Sequence, residues 1–237
     1  MSQQKFLTAE WRKLIMANYD FDPGILKKYV PAGTELDTWN NKYYVSLIGF
    51  MFLKTKLRGI AIPFHSNFPE VNLRFYVRYR SGNDWKRGVV FINEFVPKPA
   101  ITVVANSLYK ERYATYIMKH KWEIADQLTI GYYWKKDGKW NKLEVQADPK
   151  FNEIRPGSEE EFITEHYWGY SSVDKNKTGE YEVAHPRWDI YPINNYNIDC
   201  DFKKLYGNDF DILDHSQPAS VFLAEGSPVT IFTKKIL

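Results

Sequence analysis

This sequence predicts a mainly β fold, and three observations carry that reading. Along Val71, Leu73, Phe75, Val77 and Tyr79 every second residue is apolar, while Asn72, Arg74, Tyr76, Arg78 and Arg80 fill the other face. That is the period of a strand. Lys136-Asp137-Gly138-Lys139 sets an Asp-Gly pair between two alternating runs, the chemistry of a type I′ hairpin whose two central residues take positive φ. Aromatic residues make up 17% of the chain, and large rings favour pleated, half-buried surfaces over helices. Strand-like runs extend through all 237 residues with no repeat, low-complexity tract or linker between them. One domain over residues 1–237 is therefore expected, mainly antiparallel, with a few short helices.

Residues 11–19 read as a first strand. Asp22 ahead of Pro23 is an N-cap followed by proline at the first helical position, so a short helix opens there and Pro31 and Gly33 close it. After a polar turn over 38–42, residues 43–53 form a strand that is apolar on both faces and so covered on both. Residues 59–69 are proline-punctuated loop. In the next hairpin Ser81-Gly82-Asn83-Asp84 supplies the turn. With Ser81 opposite Asp84, Val71 falls opposite Glu94 and Leu73 opposite Ile92, which sets the Glu94 carboxylate at the end of an otherwise apolar face. Residues 100–105 and 113–124 read as strands, with Asn106 capping a single helical turn between them. The Asp-Gly hairpin pairs Trp134 with Asn141, Tyr132 with Leu143 and Ile130 with Val145 on its buried face. Ser158 with Glu161 matches a capping box. Strands over 167–173 and 180–191 follow, then a short helix over 201–206. Two last strands, 219–223 and 229–234, are joined by a turn through Glu225-Gly226-Ser227-Pro228.

Bulk properties exclude several function classes. A net charge of +3 gives no electrostatic footprint for nucleic acid. The aromatics interleave with acids as often as with bases, which is not a single-strand stacking surface. No apolar run approaches the roughly 20 residues that span a bilayer, and Met1-Ser2-Gln3-Gln4-Lys5-Phe6 lacks the apolar core of a secretory signal. A lone Cys200 cannot form an internal disulfide, which fits a reducing compartment and burial as a small hydrophobe. A cytoplasmic protein, monomer or homodimer, is expected. His65, His120, His185 and His215 are too widely spaced for a metal site, and no GxSxG elbow, P-loop or GxGxxG fingerprint occurs. No metal or cofactor is expected.

Several motifs carry a family resemblance. They are Phe6-Leu7-Thr8-Ala9-Glu10-Trp11-Arg12, Pro31-Ala32-Gly33-Thr34-Glu35-Leu36-Asp37, Tyr44-Val45-Ser46-Leu47-Ile48-Gly49-Phe50, Val71-Asn72-Leu73-Arg74-Phe75-Tyr76-Val77 and Arg87-Gly88-Val89-Val90-Phe91-Ile92. Phe162-Ile163-Thr164-Glu165-His166-Tyr167-Trp168-Gly169-Tyr170 and Phe222-Leu223-Ala224-Glu225-Gly226-Ser227-Pro228 extend it into the second half. On these the chain resembles the YqjF-like family of uncharacterised bacterial proteins. The resemblance implies a branch of the acetoacetate-decarboxylase-like superfamily: a closed or cone-shaped antiparallel β-barrel with an internal cavity.

Glu94-Phe95-Val96-Pro97-Lys98-Pro99 is similar to the decarboxylase segment in which a glutamate precedes Pro-Lys-Lys and the first lysine forms a Schiff base with a keto acid. The resemblance gives Lys98 the nucleophile's position and Glu94 the proton relay. Pro99 stands where the second lysine would lie, and that second cation is what lowers the nucleophile's pKa. A nearby Glu94 would raise it instead. The pair is thus either Schiff-base chemistry of a lyase type or a strand-end lysine with or without an ion pair. Arg74, Arg78, Arg80 and Arg87 form either a solvated basic stripe or, at Arg74 with Tyr76 beside it, a carboxylate anchor inside a cavity. Glu165-His166-Tyr167-Trp168 lines a pocket mouth or makes a helix-to-strand junction. Three functions follow: a binder of a small organic anion or aromatic metabolite anchored by Arg74, Tyr76, His166, Tyr167 and Trp168; a decarboxylase-like enzyme using Lys98 and Glu94; or a protein-interaction module whose barrel is filled by its own side chains.

Overall fold

The computed structural model describes residues 4–237; Met1–Gln3, part of the segment read for a leader, lie outside them. In chain order the elements are β1 (Lys5–Asp20), α1 (Pro23–Leu26), β2 (Thr34–Leu36), β3 (Tyr44–Leu57), β4 (Phe68–Ser81), β5 (Asp84–Val96), α2 (Pro99–Tyr109), β6 (Tyr113–Thr115), β7 (Ile117–Ile124), β8 (Leu128–Lys136), β9 (Lys139–Ala147), β10 (Asn152–Glu153), α3 (Glu159–Thr164), β11 (Trp168–Ser172), β12 (Thr178–Ala184), β13 (Asp189–Tyr191), β14 (Ile193–Asp199), α4 (Phe202–Tyr206), β15 (Ser220–Phe232) and β16 (Lys235–Ile236). The fold is mainly β, as expected. The larger sheet runs β10-β13-β15-β1-β3-β4-β5-β11-β12-β16, and β14-β9-β8-β7 form a smaller one. Strand β12 also pairs with β15, Val183 opposite Ile231 and Ala184 opposite Thr230.

The long strands β1, β3 and β4 are buried on both faces, and each feeds two cores. One face of β4, Val71, Leu73, Phe75 and Val77, packs with Tyr132, Trp134 and Val145 of the smaller sheet and with Phe202 and Leu205 of α4. From the other face Phe68 and Tyr76 pack with Phe50, Phe52, Phe162 and Trp188. The functional geometry lies on this second side.

Local signals placed several elements correctly. Asp22 accepts from the Gly24 amide with Pro23 at the helix start, and Ser158 accepts from Glu161 N at 3.2 Å. The Asp-Gly hairpin keeps its register, Trp134 opposite Asn141 and Ile130 opposite Val145. Residues 113–124 are extended, in two pieces, β6 and β7.

Other expectations are corrected. Residues 100–105 lie in helix α2, which begins with Pro99 at its first position; the fixed proline φ pre-organises a helical start and overrides the strand preference of Ile101, Thr102, Val103 and Val104. Asn106 does not cap a separate turn but lies inside α2, clamping Tyr113 through Nδ2 to its carbonyl (3.0 Å) and Oδ1 from its amide (2.7 Å). Glu225-Gly226-Ser227-Pro228 does not turn the chain: β15 is continuous, with Gly226 at φ +81° opposite Arg12. A Cβ there would collide with the Trp11 carbonyl, so this glycine serves a close approach of two strands. Residues 180–191 contain two strands, β12 and β13, and β14 adds one that the pattern did not reveal.

The register of the central hairpin is corrected as well. Ser81 faces Asp84 and Arg74 faces Phe91, but a β-bulge follows, so Leu73 faces Asn93 and Asn72 faces Glu94. One extra residue in β5 moves Glu94 off the apolar face of Val71 and Leu73 and onto the face of Glu70, Asn72 and Arg74.

Candidate functional site

The bulge in β5 supplies the first residue of the site. Strand β6 then runs parallel to β5 with Tyr113 beside Glu94, and the Glu94 amide is bonded to the Arg112 carbonyl at 3.1 Å. Glu70 lies on the same face of β4. Its two oxygens accept from Asn72 Nδ2 and from the Tyr113 hydroxyl, each at 3.0 Å. Glu111, just ahead of β6, accepts from the Tyr181 hydroxyl of β12 at 3.0 Å. Three carboxyls and two phenols from five segments thus meet at one place.

They floor a cavity of about 330 Å³. Phe6 and Leu7 of β1, Phe52, Thr55 and Leu57 of β3, and Phe68 of β4 wall it. Helix α2 covers it with Ala100, Ile101, Val104, Ala105 and Tyr109, while Ile62 and His65 come from the loop after β3. Tyr113 and Tyr181 stand beside the three carboxyls. Among the described residues no lysine or arginine lines this cavity.

Burial dominates the acids' ionisation. It raises Glu70 to about 7 against the bonds from Asn72 and Tyr113, and Glu111 to about 8 against the bond from Tyr181. Glu94 is 2% exposed, and its Oε2 has no hydrogen-bond partner among the described residues. Burial, with Glu111 and Glu70 as like charges, lifts it well above the ordinary carboxylate range.

A smaller cavity of about 60 Å³ adjoins the first, sharing Glu70, Glu94, Tyr113 and Tyr181, and is lined further by Asn72, Arg74, Phe91, His166, Trp168 and His185. Arg74 is buried. Its Nη2 donates to the Ile163 carbonyl at the end of α3 (3.2 Å), its guanidinium sits 5.5 Å from the Tyr76 ring centroid, and its Nε has no partner among the described residues. His166 bonds Asp37 Oδ2 through Nε2 at 3.1 Å, and Arg87 Nε donates to the same oxygen at 2.7 Å. Burial pushes His166 down to about 4, against the carboxylate of Asp37. Burial works to raise Asp37, but the bonds from His166 and Arg87 outweigh it and hold that carboxyl at about 2. At neutral pH the pair is thus a neutral imidazole donating from Nε2 to a carboxylate, which leaves Nδ1 as an unpartnered buried acceptor.

Of the residues singled out from sequence, Glu94, Arg74, His166 and Trp168 come together around the smaller cavity. Tyr76 lies behind Arg74 with its hydroxyl on Ser46 at 2.7 Å. Tyr167 lines neither cavity; its hydroxyl bonds Glu165 and its ring packs 4.7 Å from that of His185. Lys98 is the N-cap residue of α2 and lines neither cavity. Arg78 and Arg80 lie over the Trp85 ring at 4.3 and 5.1 Å, at the far end of the hairpin.

Sequence reasoning missed Glu70, Glu111, Tyr113 and Tyr181. Glu70 carried a signal, a carboxylate within an otherwise apolar strand start. The others fall in short strands or coil and meet only through β5–β6 and β11–β12 pairing. Among the described residues no group of three or more His, Cys, Asp or Glu side chains is spaced to hold a metal ion, and no helix is long and apolar enough to cross a membrane.

Comparison with known proteins places the family and the fold. The DUF2071 model, described as an uncharacterized conserved protein, matches residues 8–228. The uncharacterized protein YqjF of Bacillus subtilis (strain 168) is 36% identical over 84 residues, 35% of this chain and 33% of that protein; the match thus spans about a third of the relative. Among solved structures, acetoacetate decarboxylase of Legionella pneumophila superposes with a TM-score of 0.65 at 14% identity, over 98% of this chain and 87% of that one. The enduracididine biosynthesis enzyme MppR complexed with pyruvate gives 0.71 at 9% identity, over 100% and 91%. Identities this low establish a shared fold, the acetoacetate-decarboxylase-like one, and nothing about the reaction.

Proposed function

The chain belongs to the DUF2071 family of uncharacterized conserved proteins, and from that premise we propose that it binds a small, largely apolar molecule in the cavity beneath α2. The observation that carries this reading is the cavity itself: about 330 Å³, walled by apolar side chains, with its polar groups gathered on one floor. Small-molecule sites are concave, mainly apolar, of a few hundred Å³, and carry a few convergent polar groups. Closure of the larger sheet into a barrel is part of the same proposal. Its support is the β12–β15 pairing, which joins the strands reached from β5 back to the neighbour of β1.

An aromatic metabolite suits the Phe6, Phe52 and Phe68 walls. A free organic anion suits the cavity less well, because three carboxyls line it and Arg74 faces only the smaller space. Schiff-base catalysis at Lys98 has no support from the position of that lysine at the start of α2. The test is native mass spectrometry of the intact protein with benzyl alcohol as probe, beside an Ala105→Trp variant that fills the cavity. Binding to the parent and not to the variant supports the proposal; equal behaviour of the two removes it.

A further inference from the structure

We infer that the ligand of this cavity is a small primary amine, bound as its ammonium ion with the nitrogen against Glu94 and the carbon skeleton under α2. This rests on the binding proposal above and names its ligand class.

The argument is an inventory of donors and acceptors. Glu70 already accepts from Asn72 and Tyr113, and Glu111 from Tyr181. The two phenols have spent their only protons on these bonds and have only lone pairs left to offer. Glu94 is 2% exposed and its Oε2 has no partner among the described residues. Once Glu94 gives up its proton, the vacant capacity of the floor is therefore acceptor capacity, centred on Glu94. An ammonium offers three donors and no acceptor, whereas an alcohol offers one donor and a carboxylate none. Among the described residues the carboxyls are not spaced to hold a metal ion, and no lysine or arginine lines the cavity to compete for them or to receive an anion. The volume of about 330 Å³ limits the rest of the ligand to a single ring or a short chain.

Charge balance adds a consequence. Burial favours the protonated Glu94 carboxyl in the empty site. An arriving ammonium replaces that proton, so the Glu94 O–H bond breaks, the carboxylate pairs with the ammonium, and one proton leaves to solvent. The other titratable groups facing the cavity are Glu70, Glu111, Tyr113, Tyr181, Tyr109 and His65. Behind them Arg74 acts on Glu70, while Lys234 and Arg112 act on Glu111.

The test is titration calorimetry of the full chain at pH 7 with three probes of one skeleton: benzylamine, benzyl alcohol and benzoate. Benzylamine is expected to bind at least about tenfold more tightly than benzyl alcohol, benzoate not at all, and the heat to vary with buffer ionisation enthalpy as a proton is released. Glu94→Gln, nearly isosteric, is expected to weaken benzylamine about tenfold or more and to leave benzyl alcohol within about twofold; Glu94→Met, of similar volume and equally unable to pair with an ammonium, gives the same contrast should the first variant fold poorly. Benzyl alcohol or benzoate binding as tightly as benzylamine, or benzylamine indifferent to both variants, overturns the amine inference and leaves the cavity standing. Failure of all three probes removes both readings.

Discussion

Asn72 and Glu94 stand opposite each other across β4 and β5, and the Asn72 amide donates to Glu70 at 3.0 Å. One side chain thus faces one buried carboxyl across the ladder while bonding another on its own strand. With Tyr113 it ties two buried acids into one polar cluster.

Removing either donor is expected to push Glu70 further up. Tyr113→Phe and Asn72→Leu each leave a Glu70 oxygen without its partner, at a cost of about 1–3 kcal/mol for a buried acceptor. Urea unfolding at pH 8 measures it, and the loss should shrink at pH 5, where Glu70 is protonated in both variants and parent.

The pH dependence of stability follows from the same acids. Burial holds Glu70 at about 7 and Glu111 at about 8, above their ordinary value of 4.5. The unfolded chain loses these protons first, so stability falls as pH climbs from about 4.5 through 8. His166 and His185, both lowered to about 4 by burial, act oppositely, but only between 4 and 6.5. Between pH 6.5 and 8 the glutamates therefore set the sign, with a slope of up to about 1.4 kcal/mol per pH unit for each proton. Glu111→Gln should flatten that slope; an unchanged slope would contradict the assignment.

Asp37→Asn should cost about 1–3 kcal/mol, since it leaves His166 and Arg87 without their shared charged acceptor. In this variant the His166 imidazole loses the partner that favours its protonated form and should titrate lower still, readable from its ring carbon shifts in NMR.

Gly88 lies opposite Trp168 where β5 and β11 run parallel. A Cβ at Gly88 would collide with the Trp168 carbonyl, a backbone atom that cannot swing aside. Gly88→Ala should destabilise by about 1–3 kcal/mol, with increased amide exchange along β11. Gly82→Ala meets open space, but its φ of +62° makes it strain the nearby turn itself; its cost is local, and β11 exchange should stay unaltered.

Borohydride reduction in the presence of pyruvate or acetoacetate should add no mass at Lys98, because that lysine starts α2 and faces neither cavity. A peptide map showing the adduct would restore the Schiff-base reading.

Local chemistry made much of the fold legible. Asp22-Pro23, Ser158-Glu161 and Asp137-Gly138 act within a few residues, so the sequence alone exposes them. Helix α2 was hidden because four consecutive residues of strand preference, Ile101 to Val104, mask a start set by Pro99. The acid floor was hidden for a different reason. Glu70, Glu94, Glu111 and Tyr181 are separated by long stretches of chain, and what joins them is a bulge and two strand pairings that leave no local mark. Arg74 and Glu94 were visible from strand alternation, though Glu94 was assigned to the wrong side.

That wrong side has an implication for how this chain can tolerate change in length. The irregularity at Leu73 and Arg74 inverts side-chain parity along β5: Val90 and Ile92 before it and Phe95 after it point to one core, while Val89, Glu94 and Val96 point to the other. Deleting the extra residue, Ile92, would straighten the ladder and leave Glu94 opposite Asn72 and Phe95 opposite Val71, whereas deleting a residue between the tip and the bulge would turn the intervening side chains over. Single deletions in this hairpin should thus survive at its exposed tip or at the bulge itself, and a one-residue scan of deletions along 84–96 would map where the inversion is anchored.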